Sequence, residues 1–260
     1  LRLSYKETSL PKASDVEKTL DEDRNISHVW LVHCESSTGM LNPIGEIADV
    51  VKAKGRTLVV DATATFGGLY IDVAALGVDV LIGRADAGLE SLPGVAFVIA
   101  PKAALEIAMG ESHSPNLDLH LQWKAQDASG RFSTTPPTHA LLALREALRE
   151  LAAEGGIAQR AKRYQANANT LRERLKALGL SLLLEDAHAS PILQAVLAPR
   201  AATFEYERFA AAMRVKGFAI CAGALAQRPS FRIGCIGRVD EQLMQHVTAA
   251  VEDVLNAMDV

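Results

Sequence analysis

The sequence has no apolar run long enough to span a bilayer, and its start lacks the charged-then-apolar pattern of a secretory signal. It has no Lys/Arg block either. With 27 basic against 31 acidic residues its formal charge is −4, which argues against nucleic acid as a partner. Cysteine is scarce: Cys34, Cys221 and Cys235 are odd in number, widely spaced and form no CxxC pair. They read as reduced thiols, not as a disulfide framework or a zinc site. Phosphate-loop, dinucleotide-fingerprint, zinc-protease and nucleophile-elbow patterns are also missing, as are internal repeats and low-complexity tracts. What remains is a cytoplasmic globular chain of 260 residues, 49% of them hydrophobic, enough for one large or two modest cores. It opens on Leu1 already in patterned sequence, as a processed chain or a fragment would.

Strand and helix patterns alternate through the first half. The spacing predicts a helix over 13–22 with Ser14 or Asp15 as N-cap, and a strand over His28–His33 running into a polar loop, Cys34 to Gly39. A helix over 43–54 follows, ended by Gly55. Then come a strand from Thr57 to Asp61, a short helical piece near Val73–Leu76, and strands over Val78–Gly83 and Val95–Ala100. Only a loop precedes the last of these, which allows it to run antiparallel. A helix over Lys102–Met109 precedes a loose polar connection, His113 to Pro137. This is the grammar of an α/β fold with a mainly parallel sheet. Two helices, Thr138–Ala153 and Ile157–Leu178, lead to a small α+β unit. It has strands near Leu182–Leu184, Ile192–Leu197, Phe218–Cys221 and Phe231–Ile236, and helices over Phe204–Lys216 and Val239–Met258. The implied division is a large domain, 1–153, and a linking helix with a small C-terminal domain, 154–260.

The chain is organised around Thr57 to Gly68. Leu58, Val59 and Val60 are apolar without alternation, as in a parallel strand covered on both faces. Asp61 sits at the carboxyl end of that strand, the edge beyond which ligands bind in open α/β sheets. An Asp there serves equally well as a cap for a turn or helix. Gly67 and Gly68 permit a sharp turn or a close approach. The loops at Glu35–Gly39, at Asp61 with Thr63 and at Asp86–Ala87 each follow a strand, so they should converge on one sheet edge.

Three ordered stretches, His33–Pro43, Val60–Gly68 and Pro93–Ala100, resemble the class-V, fold-type I aminotransferases that use pyridoxal 5′-phosphate. Within them the similarity is to the 2-aminoethylphosphonate:pyruvate aminotransferase family. Leu117–Leu119, Gln122–Lys124, Arg131–Phe132, Thr135–His139, Glu154–Gly156 and Phe231–Gly234 continue the resemblance in order. It implies a fold-type I large domain and amino transfer from 2-aminoethylphosphonate to pyruvate, giving phosphonoacetaldehyde and alanine. It implies no metal. Asp61 would face the pyridine nitrogen and keep it protonated, so that the ring acts as an electron sink. Thr63 would pack under the ring, Ser36 would bond the cofactor, and Thr135 would reach its phosphate across a homodimer interface. Arg232 would hold the acidic end of an amino acid, keto acid or phosphonate. The plainer alternatives are that Ser36 caps a turn and that Arg232 is a surface strand residue.

The departures from the family pattern fall in one loop. The family carries an Asn-Lys pair there, whose lysine forms the Schiff base and shuttles the proton. This chain reads Arg84-Ala85-Asp86-Ala87-Gly88, so Ala87 stands at the lysine position and can do neither. Asp86 replaces the neutral amide, and a carboxylate there should repel the cofactor's phosphate. Ser91 replaces a glycine, and Lys102, the next lysine, belongs to another element. The family's block ahead of Leu1, with its phosphate-cradling loop, has no counterpart in the sequence, so the large domain should be incomplete at its N-terminus. Two readings follow: an aminotransferase by family, inactive as written, or a silent homologue serving as dimer partner or small-molecule binder. Arg84 and Arg228 are the charges available for a separate anion site.

Overall fold

The computed structural model describes residues 1–225 and 228–260. The first helix, α1 (Ala13–Glu22), starts one residue before Ser14, so Ser14 and Asp15 lie inside its first turn and not at the cap. Asp15 is favourable there beside the unpaired N–H groups of the helix start. The parallel part of the sheet consists of β1 (His28–Val32), β2 (Thr57–Asp61) and β3 (Val80–Arg84), in register Val32 to Asp61 and Asp61 to Ile82. The fourth strand, β4 (Ala96–Ile99), pairs antiparallel with β3, as a loop-only connection permits. The order is β1-β2-β3-β4, which leaves β1 and β4 as edges.

The stripe of α2 (Ile44–Ala53) that packs on this sheet is Ile44, Ile47, Ala48 and Val51, and Gly55 just beyond it has φ +62°. These side chains, with Val16 and Leu20 of α1, form one apolar cluster around Leu58, Val60 and Leu81. Leu58 and Val60 are buried while Val59 is half-buried, so β2 is covered more heavily on one face than its unbroken apolar run suggested.

Several sequence-level expectations shift. Residues 73–76 form a turn, not a helix. The third helix, α3 (Lys102–Ile107), is short, and the supposedly loose connection contains a helix, α4 (Leu119–Ser129). Its apolar residues Leu119, Leu121 and Trp123 alternate, which hides the helical period. Asp118 accepts from Leu121 N to cap it, and Gly130 at φ +65° ends it.

The long pair α5 (Thr138–Glu154) and α6 (Ile157–Ala177) leads to a second sheet of β5 (Leu193–Leu197), β6 (Cys221–Ala222) and β7 (Ser230–Gly234) in antiparallel order β5-β7-β6. The strand expected at 182–184 is only a bridge from Leu182 to Val196, and that expected at 218–221 shrinks to Cys221–Ala222. Two further helices, α7 (Tyr206–Val215) and α8 (Glu241–Asn256), pack with α6 on this sheet around Leu171, Leu175, Phe209, Met213, Phe231 and Val251. No helix among the described residues is long and apolar enough to cross a membrane. All three cysteines are free.

Candidate active site

Asp61 ends β2, and its backbone carbonyl accepts from His33 N at 2.8 Å. Its carboxylate Oδ1 accepts from Thr63 N at 2.9 Å. The turn-capping role is therefore real, and it presents the half-buried carboxylate at the sheet's carboxyl edge with Thr63 beside it. Directly behind lies a pair that sequence reading did not single out. His33 Nδ1 and Thr65 Oγ1 are 2.8 Å apart, and both residues are buried.

Burial pulls the His33 imidazole down to about 4 from its ordinary 6.5. Between those values the unfolded chain binds a proton at this position that the folded chain refuses. Stability should therefore fall as pH drops from 6.5 towards 4, by roughly 3 kcal/mol from this group. Urea unfolding at pH 7 and at 4.5 should show a smaller loss for His33→Asn than for the unaltered protein. Equal losses would remove His33 from the account.

The loop after β3 is the crowded part of the site. Ala85 and Ala87 are both buried, Ala87 at 4% exposure. Gly88 passes so close to its neighbours that a Cβ there would lie 2.4 Å from Gly68 N and 2.5 Å from Phe66 O. That contact needs glycine at 88 and explains the glycine at 68, while at Gly67, with φ +81°, a Cβ would lie 2.4 Å from Leu89 Cδ2. Arg84 Nε lies 3.2 Å from Asp86 Oδ1, so the new carboxylate is partly offset by its own neighbour. The expected like-charge penalty is correspondingly reduced, and Arg84 is engaged with Asp86. Ser91 Oγ is buried with no hydrogen-bond partner among the described residues.

A charge cluster centred on the buried Arg160 ties this loop to α6. Arg160, 1% exposed, donates from Nη1 to Gly88 O at 3.0 Å and lies 2.9 Å from Glu154 and 3.7 Å from Glu90. Arg163 pairs with Glu90 at 2.9 Å and with Glu154 at 2.8 Å, and the Tyr164 hydroxyl donates to Glu90 at 2.5 Å. Glu90 itself sits at φ +60°, a region that side-chain-bearing residues avoid. Its three partners hold it there. Arg163 above all keeps the Glu154 carboxyl below its ordinary value, while burial, helped by Glu90, pushes the Tyr164 phenol up.

The remaining candidates are less convergent. Arg232 of β7 reaches the loop after β1, but it donates to the backbone carbonyl of Ser36 at 2.6 Å, while its Nε donates to Ala222 O at 3.0 Å. Ser36 and Arg232 thus meet through main chain, which joins the two sheets. Thr135 is exposed between α4 and α5 and makes no hydrogen bond to the other candidates. Lys102 starts α3 on the surface. No cluster of His, Cys, Asp or Glu able to hold a metal occurs among the described residues. Cys34 is buried beside Ser190 Oγ at 3.2 Å, and burial raises its thiol to about 11, which keeps it unreactive.

Residues 2–237 match the aminotransferase class-V family. The chain belongs to that family. It is 44% identical over 248 residues to the 2-aminoethylphosphonate–pyruvate transaminase of Pseudomonas fluorescens, covering 95% of this chain and 67% of that one. It is 42% identical over 250 residues to the enzyme of the same name from Rhizobium meliloti, covering 96% of this chain and 65% of that one. The fold agrees with solved members. Alanine–glyoxylate aminotransferase from Nostoc superposes at a TM-score of 0.88 with 27% identity, over 97% of this chain and 68% of that one. Pyridoxamine–pyruvate aminotransferase from Mesorhizobium loti does so at 0.88 with 24% identity, over 96% and 65%. The chain thus spans about two thirds of the length of the curated relatives it matches.

The fold-type I assignment follows, and by family the cofactor is pyridoxal 5′-phosphate. On this chain's own residues the fit fails at the point of attachment. In loop 85–91 residue 87 is a buried alanine, whose methyl group can form no Schiff base, and Asp86 beside it carries a carboxylate.

Proposed function

We propose that this chain descends from the 2-aminoethylphosphonate–pyruvate transaminases and, as it stands, does not transfer the amino group. The observation that carries this is Ala87, buried in a loop that ion pairs among Glu90, Glu154, Arg160 and Arg163, with Tyr164, tie to α6. A mobile loop could bring a neighbouring lysine into the gap; a clamped one cannot. Asp61 and Thr63 still form an acid-bearing corner suited to the cationic end of a small molecule, which supports a silent homologue that binds without turnover. We extend the reading to a cytoplasmic homodimer with a large domain, 1–153, and a small one, 154–260. The family's dependence on a neighbouring subunit at the Thr135 position supports the dimer.

The test is a titration of the purified protein with pyridoxal phosphate, followed by borohydride reduction and peptide mapping. No lysine should carry the reduced adduct. A single labelled lysine would identify a relocated attachment point and overturn the reading.

A further inference from the structure

Asn169, Arg172 and Lys176 follow one another at spacings of three and four on α6, so their side chains rise from one face of the helix. With Glu173, the turn at Asp186 and Gln194 of β5, they line a pocket of about 120 Å³. Asp61, Ala87 and Arg232 are not part of it. Its volume is well below the roughly 300–1,000 Å³ of sites that take drug-sized ligands, so it suits a small ion and not a coenzyme.

The guanidinium of Arg172, a residue 7% exposed, lies at the floor of the pocket. Two neutral contacts hold it in place: Nη1 donates to Gln194 Oε1 at 2.5 Å and Nη2 to Leu184 O at 2.9 Å. The Nε–Nη2 edge that remains is one an oxyanion grips with two oxygens. Asp186 covers this edge with one. Nε, at 2.9 Å, and Nη2 both donate to Oδ1, and Lys176 Nζ donates to the same oxygen at 2.9 Å and to Oδ2 at 3.1 Å. Three donors thus crowd Oδ1 while Oδ2 has Lys176 alone among the described residues. The Asp186 side chain is 69% exposed, on a turn closed by His188 N donating to Glu185 O at 3.2 Å. A buried cation is therefore paired with a carboxylate that can swing into water at little cost. Glu173, exposed on the rim, forms no ion pair among the described residues.

We propose that this pocket binds a small tetrahedral oxyanion of the phosphate type, gripped by Arg172 and Lys176, and that Asp186 is the tethered carboxylate it displaces. Such an ion offers one oxygen to Nε, one to Nη2 and one to Lys176, and its double negative charge matches the two cations. A carboxylate has only two oxygens and one charge. The turn released by the exchange is stitched to the loop that follows β1: Leu41 N donates to His188 O at 3.0 Å and Ser190 N to Gly39 O at 2.8 Å. Occupancy is thereby felt in the loop that carries Ser36.

The probe is inorganic phosphate at about pH 8, where it is doubly charged, titrated at constant ionic strength while the Arg172 Nε–H resonance is followed by NMR. A tethered competitor acts at about millimolar effective concentration, so Asp186→Asn should bind phosphate at least about tenfold more tightly than the unaltered protein. Adding Lys176→Gln to that variant should weaken binding again by at least about tenfold. Glu173→Gln removes the same charge from the same rim but no competitor, and should change the affinity by less than about twofold. Acetate should bind at least about tenfold more weakly than phosphate. With phosphate saturating the unaltered protein, the Leu41 N–H should exchange at least about threefold faster as the turn lets go. Absence of binding, equal tightening by Asp186→Asn and Glu173→Gln, or acetate binding as tightly as phosphate would overturn the proposal. So would unchanged Leu41 exchange at saturation, since Asp186 would then have stayed in place.

Discussion

Given 2-aminoethylphosphonate, pyruvate and pyridoxal phosphate, the purified protein should form no alanine above the rate of the same mixture without it. General acid–base assistance by one positioned group accounts for about 10²–10⁴ in rate, and on the proposed reading Ala87 stands where family members carry the lysine used both for this and for attachment. Neither His33 nor Lys102 is placed to replace it. His33, the nearest imidazole to Asp61 in the chain, is buried and held neutral, with its Nδ1 at Thr65. Its role is packing and hydrogen bonding behind the site. Lys102 is anchored at the surface start of α3. The assay is alanine production followed by coupled detection or mass spectrometry. Turnover that scales with protein and survives repurification would show that the chemistry has moved elsewhere in this chain.

Arg160→Met should be the most damaging single change outside the apolar cores, costing about 3 kcal/mol of unfolding free energy. The cluster Arg160, Arg163, Glu90 and Glu154 is balanced, two positive against two negative. Removing Arg160 leaves a net negative charge against side chains that are 9% (Glu90) and 23% (Glu154) exposed, and it strips Gly88 O of its buried donor. Arg163 still pairs with both carboxylates, which is why the expected loss lies at the lower end for a broken buried pair. Urea unfolding of Arg160→Met, Glu90→Gln and the double variant forms a cycle. The double variant should lose clearly less than the sum of the singles, since each removes what the other leaves uncompensated. Additive losses, or a loss below 1 kcal/mol for Arg160→Met, would mean that Arg163 alone holds the loop.

Legibility varied along the chain with the range of the interactions involved. The strands of the first sheet, most of the helices after them and Gly55 as a stop follow from patterns within a few residues, and these are properties a local stretch of chain expresses. α4 was hidden because its apolar residues alternate, and its existence rests on a cap at Asp118 and contacts such as His120 Nδ1 with Leu105 O at 2.8 Å. The short strands of the second sheet were misjudged because β6 owes its length to pairing with β7, not to its own two residues.

The sequence by itself determined the family, the α/β plan, Asp61 at the end of its strand and an alanine at 87, where the resemblance expects a lysine. Each of these depends on residue identity or on short-range pattern, and no fold can put nitrogen on an alanine side chain. Only the tertiary structure decided the rest. It turned Arg232 towards the Ser36 carbonyl, 196 positions away, set Arg84 against Asp86, and closed Arg160 onto Gly88 from 72 positions off. Those outcomes depend on which buried groups find partners across the fold, a condition that nothing in the local pattern of a chain records.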